Sequence, residues 1–337
     1  MTATRSLLVT GGSGSFGRCY VRAMLQPPCA YRRVATFSRD EVKAAALVAE
    51  FGDAPEFRAF LGDVRDASRL SLAFRDVHDV VHAAALKRID AGTYSPSELI
   101  VTNILGTLNV VNEAIHAGVE RVVVISSDKC TYSTTLYGCT KFAAELYAVQ
   151  ANAYGNGGQT KIAAVRYGNI LGSRGSVVTI WREQALAGLP LRLTNGHITR
   201  FVMTIEQARD LVRYALAHMQ GGEVFVPQLP RCDMRTLAEA CWRVWGSGEP
   251  QIEESGVLRP GGEKMAECLL NVEEVTRTVR RDGYYVIAPS HHEWTDGGHY
   301  RRGEPVPVDF DYQSDRGELP LTVGALETML RQTEALR

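Results

Sequence analysis

Neither sign of charge dominates this 337-residue chain, which has 37 Lys and Arg against 38 Asp and Glu and a formal net charge of −1. That balance argues against a protein built around a long polyanion, because nucleic-acid binders carry a basic excess. No uninterrupted apolar run approaches the roughly 20 residues that a membrane-spanning helix needs. No leader peptide fits the start, where the strand-like Leu7-Leu8-Val9 runs straight into glycines. The seven cysteines are odd in number, scattered, and without metal-knuckle spacing, so neither a disulfide framework nor a zinc module is expected. Internal repeats and low-complexity segments are missing too. The expectation is a cytoplasmic protein with no nucleic-acid or membrane partner.

What is present is an ordinary globular composition, 45% hydrophobic and 22% charged, long enough for about two domains. Short β-rich runs at Leu7–Thr10, Val34–Phe37, Val80–Ala84, Val122–Ser126 and Ile162–Arg166 alternate with helical stretches. The helices fall at Phe16–Leu25, Asp40–Phe51 (apolar face Val42, Ala46, Leu47, Phe51), Ser97–Ala117 and Leu136–Ala153. Such alternation predicts an α/β protein with a Rossmann-type, doubly wound parallel sheet. Ligands in such sheets sit beyond the carboxyl ends of the strands. After about residue 170 the texture turns irregular, apart from a helix over Glu206–Met219 and a strand over Glu223–Val226. The expected division is therefore a dinucleotide-binding domain over 1–168 and a smaller substrate-binding α/β cap over 169–337, with 199–226 returning to the main sheet.

Between the first strand and first helix stands Thr10-Gly11-Gly12-Ser13-Gly14-Ser15-Phe16-Gly17. Glycines at this junction allow a tight turn and let a pyrophosphate approach the helix N-terminus. The second strand ends in Ser38-Arg39, with Lys43 one turn on. Hydroxyl and cationic groups there suit a 2′-phosphate, so NADP is favoured over NAD, although Asp40 could face the ribose. Asp63 and Val64 follow the third strand and are placed at the adenine edge.

Ser127-Asp128-Lys129 follows the strand Val122–Ser126, and Tyr137 and Lys141 share a helix face four residues apart. A lysine beside a phenol and a cationic nicotinamide is expected to lower the phenol's pKa, letting Tyr137 take a hydroxyl proton as hydride leaves. Burial and nearby positive charge are expected to push Lys129 down until it can act as a base, with Asp128 supplying a proton to a leaving hydroxyl. With Asn103 on the preceding helix, the pattern resembles the extended short-chain dehydrogenase/reductases.

The ordered runs Phe-Ser-Arg-Asp-Glu, Gly-Asp-Val-Arg-Asp, His-Ala-Ala-Ala-Leu-Lys, Ser-Asp-Lys, Leu-Tyr-Gly-Cys-Thr-Lys, Val-Arg-Tyr-Gly-Asn, Gly-Ser-Arg-Gly-Ser-Val and Thr-Arg-Phe narrow the resemblance. Together they resemble the inverting UDP-N-acetylglucosamine 4,6-dehydratases, soluble enzymes that open pseudaminic acid and related sugar pathways. That resemblance implies roles. Tyr137 would assist oxidation at C4, with Ser127 on the C4 oxygen. Lys129 would remove the C5 proton and Asp128 would protonate the departing C6 hydroxyl. Lys141 would hold the nicotinamide ribose. Ala83, Ala85, Asn103 and Ile170 would line the cofactor, and Lys87 would sit between cofactor and sugar. Asn169, Arg174, Val177, Thr199 and Arg200 would contact the sugar diphosphate, and Arg259 and Glu263 the phosphate and uridine ribose. Relatives form dimers or hexamers, so a homo-oligomer is expected.

The chain departs from the family pattern twice. Cys130–Leu136 lacks the family's usual proline. Arg259-Pro260-Gly261-Gly262-Glu263 carries one extra glycine, so either Glu263 or Glu267 would be the ribose contact. Cys130 and Cys139 read as small packing residues. His291, His292 and His299 lie in a Gly-rich loop without ligand spacing, so no metal is expected.

Overall fold

The computed structural model describes residues 4–87, 94–155, 158–258, 263–291, 294 and 298–335. The alternation expected in the first half is present. Its strands are β1 (Ser6–Thr10), β2 (Arg33–Ser38), β3 (Phe57–Leu61), β4 (Asp79–His82), β5 (Arg121–Ile125) and β6 (Lys161–Val165). Between them run helices α1 (Ser15–Met24), α2 (Glu41–Phe51), α3 (Ala67–Ala73), α4 (Gly106–His116) and α5 (Leu136–Gln150). A π-helical turn, Ile100–Leu105, leads into α4 and carries Asn103.

The second half contributes β7 (Asn169–Ile170), α6 (Val177–Leu186), β8 (Leu191–Leu193), β9 (Thr199–Met203), α7 (Ile205–His218) and β10 (Val224–Pro227). There follow β11 (Arg231–Asp233), α8 (Met234–Trp245), β12 (Ile252–Glu254), β13 (Cys268–Leu270), β14 (Thr278–Arg281), β15 (Tyr284–Ile287), β16 (Glu304–Pro305), β17 (Tyr312–Gln313) and α9 (Val323–Ala335).

Among the described residues the central sheet has the order β16-β14-β15-β10-β6-β5-β4-β1-β2-β3. Its strands from β10 to β3 are parallel. The winding reverses between β1 and β4, which opens a crevice at their carboxyl ends. Apolar side chains fill both faces of the sheet. Val9, Val81, Val123 and Val165 join one cluster, and Leu8, Val80, Val122 and Ile162 the other. Burial on both faces is why these strands read as continuous apolar runs rather than alternating ones.

Three expectations are corrected. Of the segment 199–226, β10 joins the main sheet and α7 packs on its face through Leu211, Val212 and Ala215, but β9 does not join it. β9 pairs instead with β7 and β11 in a separate three-stranded sheet, with Phe201 and Met203 in the main-sheet cluster and Val202 in the cap cluster. The main sheet also takes β14, β15 and β16 as an antiparallel extension from late in the chain, so residues beyond 168 build one of its flanks. On α2, Leu47 and Phe51 are buried, but Val42 and Ala46 face solvent. A third apolar cluster, around Trp181, Trp242, Leu237 and Leu326, makes the cap a packed unit.

Candidate active site

The glycine loop makes an open cradle at the end of β1. Gly11 has φ of +68°, and a Cβ there would lie 2.7 Å from Ala84 N, so only glycine lets the loop press against the end of β4. Gly14 caps α1 without a side-chain hydrogen bond, and the first turn of α1 has no acidic residue. Its amide groups and positive dipole end are therefore left for an anion. Ser38 Oγ accepts from Ser13 N at 3.2 Å, fixing the loop to the end of β2. Phe16 instead buries its ring against Tyr20, so any contact it makes with a cofactor is through its backbone. These features fit a dinucleotide pyrophosphate.

Asp40 is engaged at the start of α2. It accepts from Lys43 N at 3.0 Å as the N-cap of α2, and its carboxylate pairs with the Lys43 ammonium. Arg39 faces Asp63 at 3.6 Å, and Arg65 binds the same carboxylate at 2.6 Å. Val64 is buried below this network. Arg174, assigned to the sugar by resemblance, stands beside the glycine loop. Its backbone N donates to Ser15 Oγ at 3.2 Å, and its charge reaches Asp40 and Lys87. Lys87 is held below the usual lysine range, by desolvation and then by Arg174.

The floor of the crevice is organised by two residues that the sequence did not single out for this purpose. His82 is buried between Thr10 Oγ1 at 2.7 Å and Thr107 Oγ1 at 2.9 Å, and so ties β1 and β4 to α4. Burial, reinforced by the Lys141 charge, drives its pKa down to about 3, so the imidazole is neutral. Asn103 accepts from Leu86 N at 2.8 Å and donates to Leu86 O and Thr140 Oγ1, each at 3.0 Å. It thus clamps the segment containing Ala83, Ala85 and Lys87 onto α5, using the π-helical turn to aim its side chain.

Above this floor stands the charged cluster. Ser127, Asp128 and Lys129 leave the end of β5, and Tyr137 and Lys141 lie on the first turns of α5. A Cβ on Gly138 would fall 2.1 Å from Lys129 O, so glycine is what lets the Lys129 loop lie directly on α5. Lys141 Nζ donates to Ile125 O at 2.5 Å, and burial lowers its pKa to about 8. Lys129 Nζ donates to Asp128 Oδ1 at 3.0 Å and to Asn169 Oδ1 at 3.3 Å. Ser127 Oγ also donates to Asp128 Oδ1, at 2.9 Å, while Asp128 Oδ2 is buried with no hydrogen-bond partner among the described residues.

Two electrostatic expectations are reversed. Burial does lower Lys129, but the Asp128 and Glu267 carboxylates outweigh it and hold the ammonium above its usual range. Tyr137 is raised rather than lowered, because burial outweighs the opposing effects of the Lys129 charge and the Ser127 hydroxyl.

Glu267 is the residue that sequence reasoning placed elsewhere. Offered as an alternative ribose contact, it is buried and faces inward, with Oε1 3.5 Å from Lys129 Nζ and Oε2 2.7 Å from Lys264 Nζ. Arg200 Nε lies 3.9 Å from Glu267, and its guanidinium donates to Thr199 O and Lys264 O. Thr199 shares a hydrogen bond with Ser314 at 2.8 Å. Val177 opens α6 and Ile170 lies in β7, both half-buried. Glu263 is half-buried ahead of Lys264, and Arg259 lies outside the described residues. The structure therefore brings together Ser127, Asp128, Lys129, Tyr137, Asn169 and Arg200, adds Glu267 and Lys264, and sets Arg174 apart. Among the described residues no His, Cys, Asp and Glu group could hold a metal ion, and no helix is long and apolar enough to cross a membrane.

Residues 7–289 match the model of a family described as polysaccharide biosynthesis protein. The chain belongs to this family. It is also 34% identical to an inverting UDP-N-acetylglucosamine 4,6-dehydratase of Campylobacter jejuni, over 98% of each chain. A UDP-glucose 4-epimerase of Rickettsia akari is 33% identical, over 93% of this chain and 92% of its own. Among solved structures, Pen from Bacillus thuringiensis superposes with a TM-score of 0.88 at 29% identity, covering 98% of this chain and 99% of that one. DesIV from Streptomyces venezuelae, a dTDP-glucose 4,6-dehydratase solved with NAD, shares the fold at a TM-score of 0.69, 24% identity, 77% of this chain and 86% of its own.

Proposed function

We propose that this chain is an NADP-dependent UDP-N-acetylglucosamine 4,6-dehydratase that inverts C5 and yields a UDP-4-keto-6-deoxy-L-hexosamine. The observation that carries the reading is the Asp128–Lys129 pair, 3.0 Å apart, on the same rim as Tyr137. Oxidation at C4 alone needs a Tyr, a Lys and the nicotinamide. A second acid and base beside them serve chemistry at the neighbouring carbons. The 34% identical Campylobacter enzyme supports that choice of substrate.

When bound, the nicotinamide supplies the hydride chemistry, removing hydride from C4 and returning it to C6. Ser13, Ser15 and the α1 amides would hold its pyrophosphate. Ser38, Arg39 and Lys43 would meet the 2′-phosphate, with Asp63 and Val64 at the adenine edge. The dinucleotide would thus rest on residues 1–168 and the sugar nucleotide against 169–337. Tyr137 would take the C4 hydroxyl proton once the cationic nicotinamide adds to the Lys129 charge against the burial that raises its phenol, while Ser127 holds the oxygen. The new carbonyl acidifies C5, where Lys129 removes the proton and Asp128 protonates the departing C6 hydroxyl. Hydride return to C6 leaves an enolate that takes a solvent-derived proton at C5 on the other face, which inverts the centre. Asn169 positions Lys129 through the 3.3 Å contact.

The 33% identical Rickettsia protein favours a second reading, a UDP-sugar 4-epimerase. One experiment separates the two. The protein is incubated with UDP-N-acetylglucosamine and NADP in deuterated water, and the sugar is followed by NMR. A new C6 methyl signal with deuterium at C5 supports dehydration. Interconversion at C4 without a methyl signal would establish the epimerase.

A further inference from the structure

The Lys129–Asp128 pair faces a difficulty as a base and acid. At rest it is an ammonium against a carboxylate, the reverse of what elimination needs. The two forms differ only in where one proton lies along a 3.0 Å hydrogen bond. A second carboxylate, Glu267, closes on the same ammonium at 3.5 Å. The two carboxylates are not equivalent. Both Glu267 oxygens face cations, Oε1 toward Lys129 and Arg200 and Oε2 toward Lys264. Asp128 has Lys129 as its one ion-pair partner among the described residues, and each carboxylate keeps one buried oxygen without a hydrogen-bond partner there, Asp128 Oδ2 and Glu267 Oε2. The proton leaving Lys129 therefore passes along its hydrogen bond to Asp128, which one cation faces, rather than to Glu267, which three face.

We infer that Glu267 is a positioning residue whose charge keeps one proton on the Lys129–Asp128 pair at working pH, so that a single transfer arms base and acid together. The inference rests on the dehydratase reading. The proton moves from Lys129 to Asp128, giving an amine and a carboxylic acid. The C5–H bond then breaks, with its proton going to Nζ and its electron pair forming C5=C6. The C6–O bond breaks, and the hydroxyl leaves as water with the Asp128 proton. The pair ends as the resting ammonium and carboxylate, with no external proton donor used. Lys264 and the Ser314 hydroxyl, which accepts from Glu267 N at 2.9 Å, hold Glu267 at this distance.

The charged or titratable groups facing Lys129 are Asp128 beside it, Glu267, Arg200 on β9 and Tyr137 on α5. Removing the Glu267 charge lowers the affinity of the pair for its proton. Glu267→Gln, which preserves size, is therefore expected to move the alkaline limb of the kcat profile down by about one pH unit or more. Glu267→Asp should restore much of the wild-type profile. A second readout does not depend on turnover. In the NADP-loaded protein, competitive acetylation of Lys129, followed by mass spectrometry, should begin at lower pH in Glu267→Gln than in wild type. Unchanged acetylation onset, or a superimposable kcat profile, overturns the inference. A wild-type protein that forms no 6-deoxy product overturns the dehydratase reading itself, and the acetylation shift still reports on Glu267 in that case.

Discussion

Arg166 is the buried charge on which the site's architecture rests most heavily, and replacing it with methionine has a calculable consequence. Its side chain is 1% exposed. It donates to Glu145 on α5 at 2.5 and 2.9 Å, to Glu274 at 2.6 and 2.8 Å, and to Leu269 O at 3.0 Å. One guanidinium thus joins β6, the helix that carries Tyr137 and Lys141, and the segment just after Glu267. Arg166→Met strips two buried carboxylates of their shared counter-charge and leaves Glu274 only Arg277, at 3.9 Å, a defect worth roughly 3–5 kcal/mol. At an unfolding entropy of about 2.1 cal/mol/K per residue, a 337-residue chain loses about 1.4 °C per kcal/mol, so the melting temperature at pH 7 should fall by roughly 4–7 °C. The deficit should also depend on pH. In the wild type, burial raises Glu274, but Arg166 outweighs it and holds the carboxyl below its ordinary range. That stabilisation is present above the unfolded pKa of about 4.3 and is lost as pH falls through the depressed native value. In the variant burial still penalises the charged Glu274 carboxyl without Arg166 to oppose it, so its native pKa rises and its cost fades on acidification. Thermal melts from pH 7 to pH 4.5 should therefore show the gap narrowing. A loss under about 2 °C at pH 7, or a gap that widens toward acid, would refute this account of the triad.

Other parts of the molecule carry their own tests. Gly11→Ala places a Cβ 2.7 Å from Ala84 N at a φ of +68°. Isothermal titration should show cofactor affinity lost by tenfold or more, on the order of 1.4 kcal/mol. Arg39→Ala should weaken NADP about tenfold and leave NAD unchanged, if the cation meets the 2′-phosphate. Equal loss for both cofactors would remove Arg39 from that role. His82 has its pKa lowered to about 3 by burial, so it stabilises the fold fully above its unfolded pKa near 6.5. This contribution is lost as pH falls toward 3, on the order of 4 kcal/mol, so His82→Gln should flatten the acid limb of the melting curve.

Much of this organisation is visible in the residues themselves. The Val- and Leu-rich strands announce a sheet buried on both faces, and the glycine loop, Tyr137 and Lys141 occur at spacings that imply one crevice. Other features depend on partners far away in the chain. Glu267 meets Lys129 across 138 positions only because the cap folds back, and no local spacing records that contact. The direction of the Lys129 shift is hidden in the sequence for the same reason, since Glu267 supplies part of the field. The β14–β15 hairpin, by contrast, has a local signal. Asp282-Gly283, with φ of 51° and 81°, is a tight-turn pair flanked by β-rich runs. Val42 shows the opposite failure, because helical spacing alone put an exposed side chain on the buried face.

The central claim is that Lys129 abstracts the C5 proton, and Lys129→Ala tests it directly. With UDP-N-acetylglucosamine and NADP in deuterated water, the variant should bind cofactor as the wild type does. It should form 6-deoxy product at least ~100-fold more slowly and place no deuterium at C5. Deuterium at C5 together with product at the wild-type rate would contradict the account.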